Sequence, residues 1–302
     1  RARALGLLEP RGAESMSIET INLHVWPRCN LACRYCYATF QATSGSLPLA
    51  DWQALLDLIN VAGVRRVNFS GGEPTLHPEL TGMLRHARSV GLQTSIISNG
   101  TRLNAEMISL LDLVGVTLDS RDDSVLVRLG RQSRRRVGSH VASVRAAAAL
   151  AHELGVRLKI NTVVTALNLT EDLNELLSEL RPFKWKPLQF STVVGENDGD
   201  ARELSVSGQA FREFVARHAS LANLGIWVAP ETAAVIGETY VMVDPIGRLF
   251  QQSRHEYRVS EPVLRVGLEA ALEQVGGYNR EAFLQRGGAV DVHANQLARG
   301  SR

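Results

Sequence analysis

Apolar and polar positions along this chain switch between two rhythms, and the switching is regular over residues 18–194. IETINLHVW (18–26) is an apolar, β-branched run of strand character, and LADWQALLDLINVAG (49–63) steps its apolar residues by three and four, as an amphipathic helix does. RRVNFS (65–70) predicts a second strand, HPELTGMLRHARSVG (77–91) a helix closed by Gly91, and LQTSIIS (92–98) a third strand. The beat continues with a helix near 104–111, a strand at LVGVTL (113–118), an alanine-rich helix over 139–154 and a strand at VRLKINTVV (156–164). TEDLNELLSEL (170–180) is expected as a helix capped by Thr170, and KWKPLQFSTVV (184–194) as the sixth strand. Six strand–helix units predict an α/β fold, a parallel sheet curled into a partial (βα)6 barrel with ligands at the C-terminal strand ends. The beat then breaks: TYVMVDPIGRLFQ (239–251) reads as a hairpin turning at 244–247. The expected organisation is a flexible N-terminal arm (1–17), the barrel (18–255) and a C-terminal extension (256–302).

Composition changes this picture little. A hydrophobic fraction of 45% and a charged fraction of 21% are ordinary for a globular chain. With a net charge of +2 and no basic stripe interleaved with aromatics, nucleic acid is not expected as a partner. No apolar stretch is long enough to span a membrane, and RARALGLLEPRGAES has neither the core nor the cleavage pattern of a signal peptide. RQSRRR (131–136) concentrates charge, and a solvated loop accounts for it.

Cysteine usage changes the picture more. CNLACRYC (29–36) holds all three cysteines of the chain, Cys29, Cys33 and Cys36, which leaves no even set for disulfides. Zinc would need a fourth ligand, for which His24 is close in sequence. A [4Fe-4S] cluster held by three thiolates would instead keep one iron open for a small chelating molecule. Such a cluster needs a reducing compartment, so a cytoplasmic location is expected. The next strand runs into FSGGEP (69–74), where Gly71 and Gly72 permit close backbone approach to a ligand and Glu73 offers a carboxylate to an ammonium group. A plain turn explains a Gly-Gly pair equally well, and the same holds for SNGT (98–101).

Of 33 basic residues only Lys159, Lys184 and Lys186 are lysines, and they fall on two consecutive predicted strands. Lys184 and Lys186 share a face by the two-residue period, and Lys159 can join them from the neighbouring strand. A polyphosphate would neutralise such a trio, while ion pairs at strand ends are the competing explanation.

CX3CX2C followed one strand later by GGEP resembles the radical S-adenosylmethionine superfamily. VNFSGGEP, KINTVV, KWKPLQF, VVGEN, TYVMVD and FLQRGG, in this order from about residue 19 to residue 288, are similar to its viperin-like family. The resemblance implies a radical SAM barrel whose three cysteines hold a [4Fe-4S] cluster, with S-adenosylmethionine on the open iron and an external one-electron reductant. It implies cofactor contacts at Tyr35, beside the adenine, and at Ser70, Gly71, Gly72, Glu73, Ser98, Asn99, Thr117 and Arg131. It implies that Lys159, Asn161, Lys184, Lys186 and Arg286 hold the triphosphate of a nucleotide, and that Tyr240 lies near the ribose as donor of the last hydrogen equivalent. The implied reaction turns a nucleoside triphosphate, CTP first and UTP or GTP as alternatives, into its 3′-deoxy-3′,4′-didehydro analogue, a chain terminator used in antiviral defence. Another radical SAM enzyme of a phosphorylated substrate and a zinc-stabilised binding module are the competing readings. The extension is expected to fold over the nucleotide. Nothing like the animal proteins' amphipathic membrane helix precedes residue 19, so no membrane attachment is expected, and the chain ends ARGSR rather than in their tryptophan.

Overall fold

A computed structural model describes residues 18–131, 139–236, 239–253, 255–285 and 288. The strand–helix beat is present: β1 (Thr20–Trp26), α1 (Leu49–Val61), β2 (Arg66–Gly71), α2 (Leu80–Ser89), β3 (Gln93–Ser98), α3 (Ala105–Ser109) and β4 (Leu113–Thr117) follow in order. Then come α4 (Asp123–Arg128), α5 (His140–Glu153), β5 (Arg157–Val164), α6 (Asn174–Leu180) and β6 (Lys184–Gln189). The helices form where the periodicity places them, because one stripe of each has the sheet to pack on. Trp52, Leu55, Leu56 and Ile59 of α1 and Leu80, Met83, Leu84 and Ala87 of α2 are the buried stripes, both stepped by three and four. Each fully buried large side chain stabilises the fold by roughly 1.5–3 kcal/mol before ordering costs. α6 starts later than its sequence suggested: Thr170 is not the cap, and Asp172 Oδ1 instead accepts from Asn174 N at 2.9 Å.

β1 to β6 are parallel in sequence order, but the sheet has ten strands in the order β10-β9-β8-β1-β2-β3-β4-β5-β6-β7. After β6 the chain forms α7 (Ala201–Leu204), α8 (Gly208–Arg217) and the short β7 (Trp227–Val228), parallel to β6. Following α9 (Ala233–Ile236), β8 (Val241–Val243) pairs parallel with β1 and antiparallel with β9 (Arg248–Ser253), so the expected hairpin is an extension of the same sheet. β10 (Glu256–Pro262) pairs antiparallel with β9, and the extension therefore begins as sheet. α10 (Val263–Val266), α11 (Leu268–Val275) and α12 (Arg280–Gln285) follow. Among the described residues no helix is long and apolar enough to cross a membrane.

Candidate active site

The cysteine loop leaves the C-terminal end of β1 and is stitched to two other segments. Ala32 N donates to Gly130 O at 3.1 Å and Arg34 N to Leu129 O at 3.0 Å. A Cβ on Gly130 would lie 2.1 Å from Ala32 O, and its φ of +74° also excludes most side chains. On the other flank Gly72 N donates to Trp26 O at 2.6 Å and Glu73 N to Arg28 O at 2.9 Å. Cβ atoms at Gly71 and Gly72 would stand 2.6 and 2.4 Å from the carbonyl oxygens of Trp26 and Arg28. These glycines are thus required first by the chain's own approach to the cysteine loop.

Glu73 is likewise held by its own chain. Buried, it accepts from Thr75 N at 3.1 Å, Thr75 Oγ1 at 2.6 Å and Ser98 Oγ at 2.8 Å on one oxygen, and from Asn99 N at 2.8 Å on the other. Burial pushes its pKa up, and these hydrogen bonds oppose that shift. Its carboxylate therefore ties β2 to the SNGT turn. That turn reaches the cysteine loop through Asn99 Nδ2, which donates to Asn30 Oδ1 at 2.8 Å and points at Cys29 Sγ at 3.9 Å. Ser70 is buried on β2, where it pairs with His24 of β1.

The thiols suit a cationic cluster. Cys29 is exposed as a residue, yet desolvation of its thiol in the loop, then Glu73 and Cys33, push it up to about 11, and burial with Cys33 pushes Cys36 up to about 12. Cys33 is raised by burial as well, against the pull of Arg131. Three thiolates this close need a compensating positive charge, which bound iron supplies. N–H groups aim at two of the sulfurs: Leu31 N at Cys29 Sγ (3.4 Å) and Arg131 Nη1 at Cys33 Sγ (3.7 Å). His24 does not complete a zinc set. It is buried against the rings of Tyr37, Phe40 and Phe250, both ring nitrogens lack a hydrogen bond, and burial alone lowers its pKa to about 3. A three-thiol donor set left open fits the cluster with an open iron.

Tyr35, Thr117 and Arg131 meet around Asp119, which sequence reasoning missed. Arg131 Nη1 donates to Tyr35 Oη at 2.7 Å and Nη2 to Thr117 Oγ1 at 2.6 Å, and Nε stands 3.1 Å from Asp119 Oδ2. Tyr35 Oη donates to the same carboxylate. Tyr35 packs with Leu129, Phe190 and Leu204. Asp119 stands two residues beyond β4, at the strand end where ligands gather, and this position was the signal available for finding it.

The lysines come together inside the barrel. Lys159 pairs with Lys184 and Asn161 with Lys186 across the β5–β6 ladder, and all three ammonium-bearing side chains line one cavity of about 40 Å³. Lys184 Nζ lies 3.8 Å above the Trp227 ring. Tyr240 shares the cavity and accepts from Lys186 Nζ at 2.5 Å. The opposite wall is a polar ladder, Ser95 Oγ donating to Asn68 Oδ1 and Asn68 Nδ2 to Asn22 Oδ1, each at 2.9 Å. Arg66 adds a fourth cation, and Phe283 and Gly288 bring the C-terminal segment onto the cavity. Arg286 lies outside the described residues, as does the arginine run after Arg131. Arg66, the asparagine ladder and Glu231, which is 2.5 Å from Lys186 Nζ, were not found from the sequence.

The profile described as the Radical SAM superfamily matches residues 23–180. An S-adenosylmethionine-dependent nucleotide dehydratase of Flammeovirga pacifica is 34% identical over 281 residues, covering 90% of this chain and 95% of the relative. A protein of the same description from Siniperca chuatsi is 31% identical over 288 residues, covering 91% of this chain and 79% of its own length. Among solved structures, anSMEcpe with bound AdoMet and a Kp18Cys peptide superimposes with a TM-score of 0.67 at 15% identity, covering 87% of this chain and 83% of that one. Streptococcus suis SuiB bound to S-adenosylmethionine gives a TM-score of 0.62 at 16% identity over 78% of this chain and 60% of that one, a likeness of fold. With three cysteines on the loop after β1, the glycine turn after β2 and these relatives along nearly its whole length, the chain belongs to the radical SAM superfamily, among its S-adenosylmethionine-dependent nucleotide dehydratases.

Proposed function

We propose that this enzyme removes water from a nucleoside triphosphate, CTP first and UTP or GTP as alternatives, to give the 3′-deoxy-3′,4′-didehydro analogue. The observation that carries the reading is the joint placement of Lys159, Lys184, Lys186 and Tyr240 in one cavity of a barrel whose mouth bears the cysteines. Cys29, Cys33 and Cys36 would hold the cluster, and Tyr35, Ser70, Gly71, Gly72, Glu73, Ser98, Asn99, Thr117 and Arg131 would border S-adenosylmethionine. When bound, these groups supply a carbon-centred radical that takes hydrogen from an unactivated carbon.

Lys159, Lys184 and Lys186, with Asn161, anchor the triphosphate from β5 and β6 by charge-assisted hydrogen bonds. With the phosphates held there and the cysteines beyond β1, the ribose lies between, and its 4′ hydrogen is the one presented to the mouth. The buried walls exclude water from the resulting substrate radical. Departure of the 3′ hydroxyl as water, with one proton, and arrival of one electron complete the product. Tyr240 is our donor of that final equivalent, restored by an external one-electron reductant. We place the enzyme in the cytoplasm, free of membrane and nucleic acid, with a barrel over 18–255 and an extension over 256–302 that covers the nucleotide.

Under anaerobic turnover, CTP deuterated at 4′ is expected to pass its label into 5′-deoxyadenosine. Label arriving only from another ribose position, or no transfer from CTP, UTP or GTP, defeats the reading. A second expectation concerns access. A cavity of about 40 Å³ has room for a few waters and not for a triphosphate, so its lining, Phe283 included, is expected to shift when a nucleotide enters. Tryptic cleavage after Arg280 should change in rate when CTP is saturating, and equal rates with and without CTP would count against a cover formed by the extension.

A further inference from the structure

Glu231 is 1% exposed and meets two of the groups just assigned to the nucleotide. Its backbone continues the sheet beyond β7: Glu231 N donates to Pro187 O and Gln189 N to Glu231 O, both at 2.9 Å, which stitches the residue onto β6 beside Lys186. One carboxylate oxygen stands 2.5 Å from Lys186 Nζ, and the other accepts from Tyr240 Oη at 2.7 Å. A single carboxylate thus joins Lys186 of β6 to Tyr240, the residue before β8.

We propose that Glu231 is a positioning residue that gives up one of its two partners when substrate binds: it holds Lys186 and Tyr240 together in the empty site, and serves as proton acceptor of Tyr240 once Lys186 has turned to the substrate. The proposal rests on the reading of Lys186 as a phosphate ligand and Tyr240 as the last donor. An incoming polyphosphate competes with the carboxylate for the Lys186 ammonium, and its larger charge wins. Glu231 is then left with the phenol. Oxidising a phenol by one electron makes its proton strongly acidic, so the electron leaves readily only where an acceptor is already hydrogen-bonded, and Glu231 stands within that reach. The electron passes from Tyr240 to the substrate cation radical left after water departs, and the phenol proton passes to Glu231. One electron from the external reductant and the proton returned by Glu231 restore the phenol. The proton consumed by the leaving hydroxyl comes from the medium, so electrons and protons balance.

The test titrates inorganic tripolyphosphate into the full chain and its Glu231→Gln variant. Loss of the competing carboxylate should tighten binding about tenfold, or about 1.4 kcal/mol. Equal or weaker binding overturns the counter-ion role. In turnover with CTP, Glu231→Gln should lower the product formed per 5′-deoxyadenosine at least fivefold while the KM for CTP falls, and should add nothing in a Tyr240→Phe background. An unchanged product ratio, or a full further loss in that background, overturns the acceptor role. Glu231→Asp keeps the charge but is one methylene too short to reach both partners. It should show the same loss of coupling, and carries the measurement if the glutamine variant melts early; wild-type coupling in Glu231→Asp overturns the proposal. The tripolyphosphate titration involves no nucleoside, so its outcome stands apart from a failure of the 4′-deuterium experiment, which would sink the substrate reading alone.

Discussion

Replacing Cys29, Cys33 or Cys36 by alanine is expected to abolish iron–sulfur absorbance and S-adenosylmethionine cleavage together. The chain contains three cysteines, so no spare thiol can take over a corner. Each sulfur also sits in a different frame. Cys29 faces the N–H of Leu31 and the amide of Asn99, Cys33 faces Arg131, and Cys36 is pushed up by burial and by Cys33. Losing one ligand therefore removes a position that its neighbours cannot fill by shifting. The measurement is anaerobic iron and sulfide content, the visible spectrum and 5′-deoxyadenosine formation on each variant. A variant that keeps full cleavage would refute the ligand assignment, and one zinc with no sulfide in the wild type would sink the cluster itself.

Lys159→Met and Lys184→Met should each lower kcat/KM for CTP by about 10- to 100-fold, since a hydrogen bond to a charged group contributes about 1.5–3 kcal/mol. On the proposed phosphate role of these residues, which line the cavity from β5 and β6, the effect should lie mostly in KM. Methionine keeps the length and most of the volume, so the packing of Lys184 against Trp227 is retained in part. Cluster content and the substrate-free cleavage of S-adenosylmethionine should be unchanged. Wild-type KM in both variants would show that the lysines serve the barrel wall and not the substrate.

What the sequence determined by itself was whatever is written in local period or in rarity. Trp52, Leu55, Leu56 and Ile59 declare the buried stripe of α1 without reference to anything distant, because helix geometry maps that spacing onto one face. The cysteine spacing announces its chemistry within eight residues, and lysine in a chain that otherwise uses arginine marks three positions where a compact charge sits. β7, at two residues, is too short to show any period, and β8 was legible only as half of a hairpin, since nothing local says that it joins β1.

The tertiary structure alone decided which polar groups face one another. Nothing in FSGGEP shows that Thr75, Ser98 and Asn99 meet the Glu73 oxygens. Gly71 and Gly72 look like room for a ligand until the carbonyls of Trp26 and Arg28 are found where side chains would go. Asp119 joins Tyr35 from 84 residues away, and Lys186 meets Tyr240 across 54. A buried carboxylate carries no periodic signature, because its cost is met by partners that sequence distance hides. Glu231 is therefore silent in the sequence: it becomes Lys186's counter-ion only when β6 and the segment after β7 lie side by side.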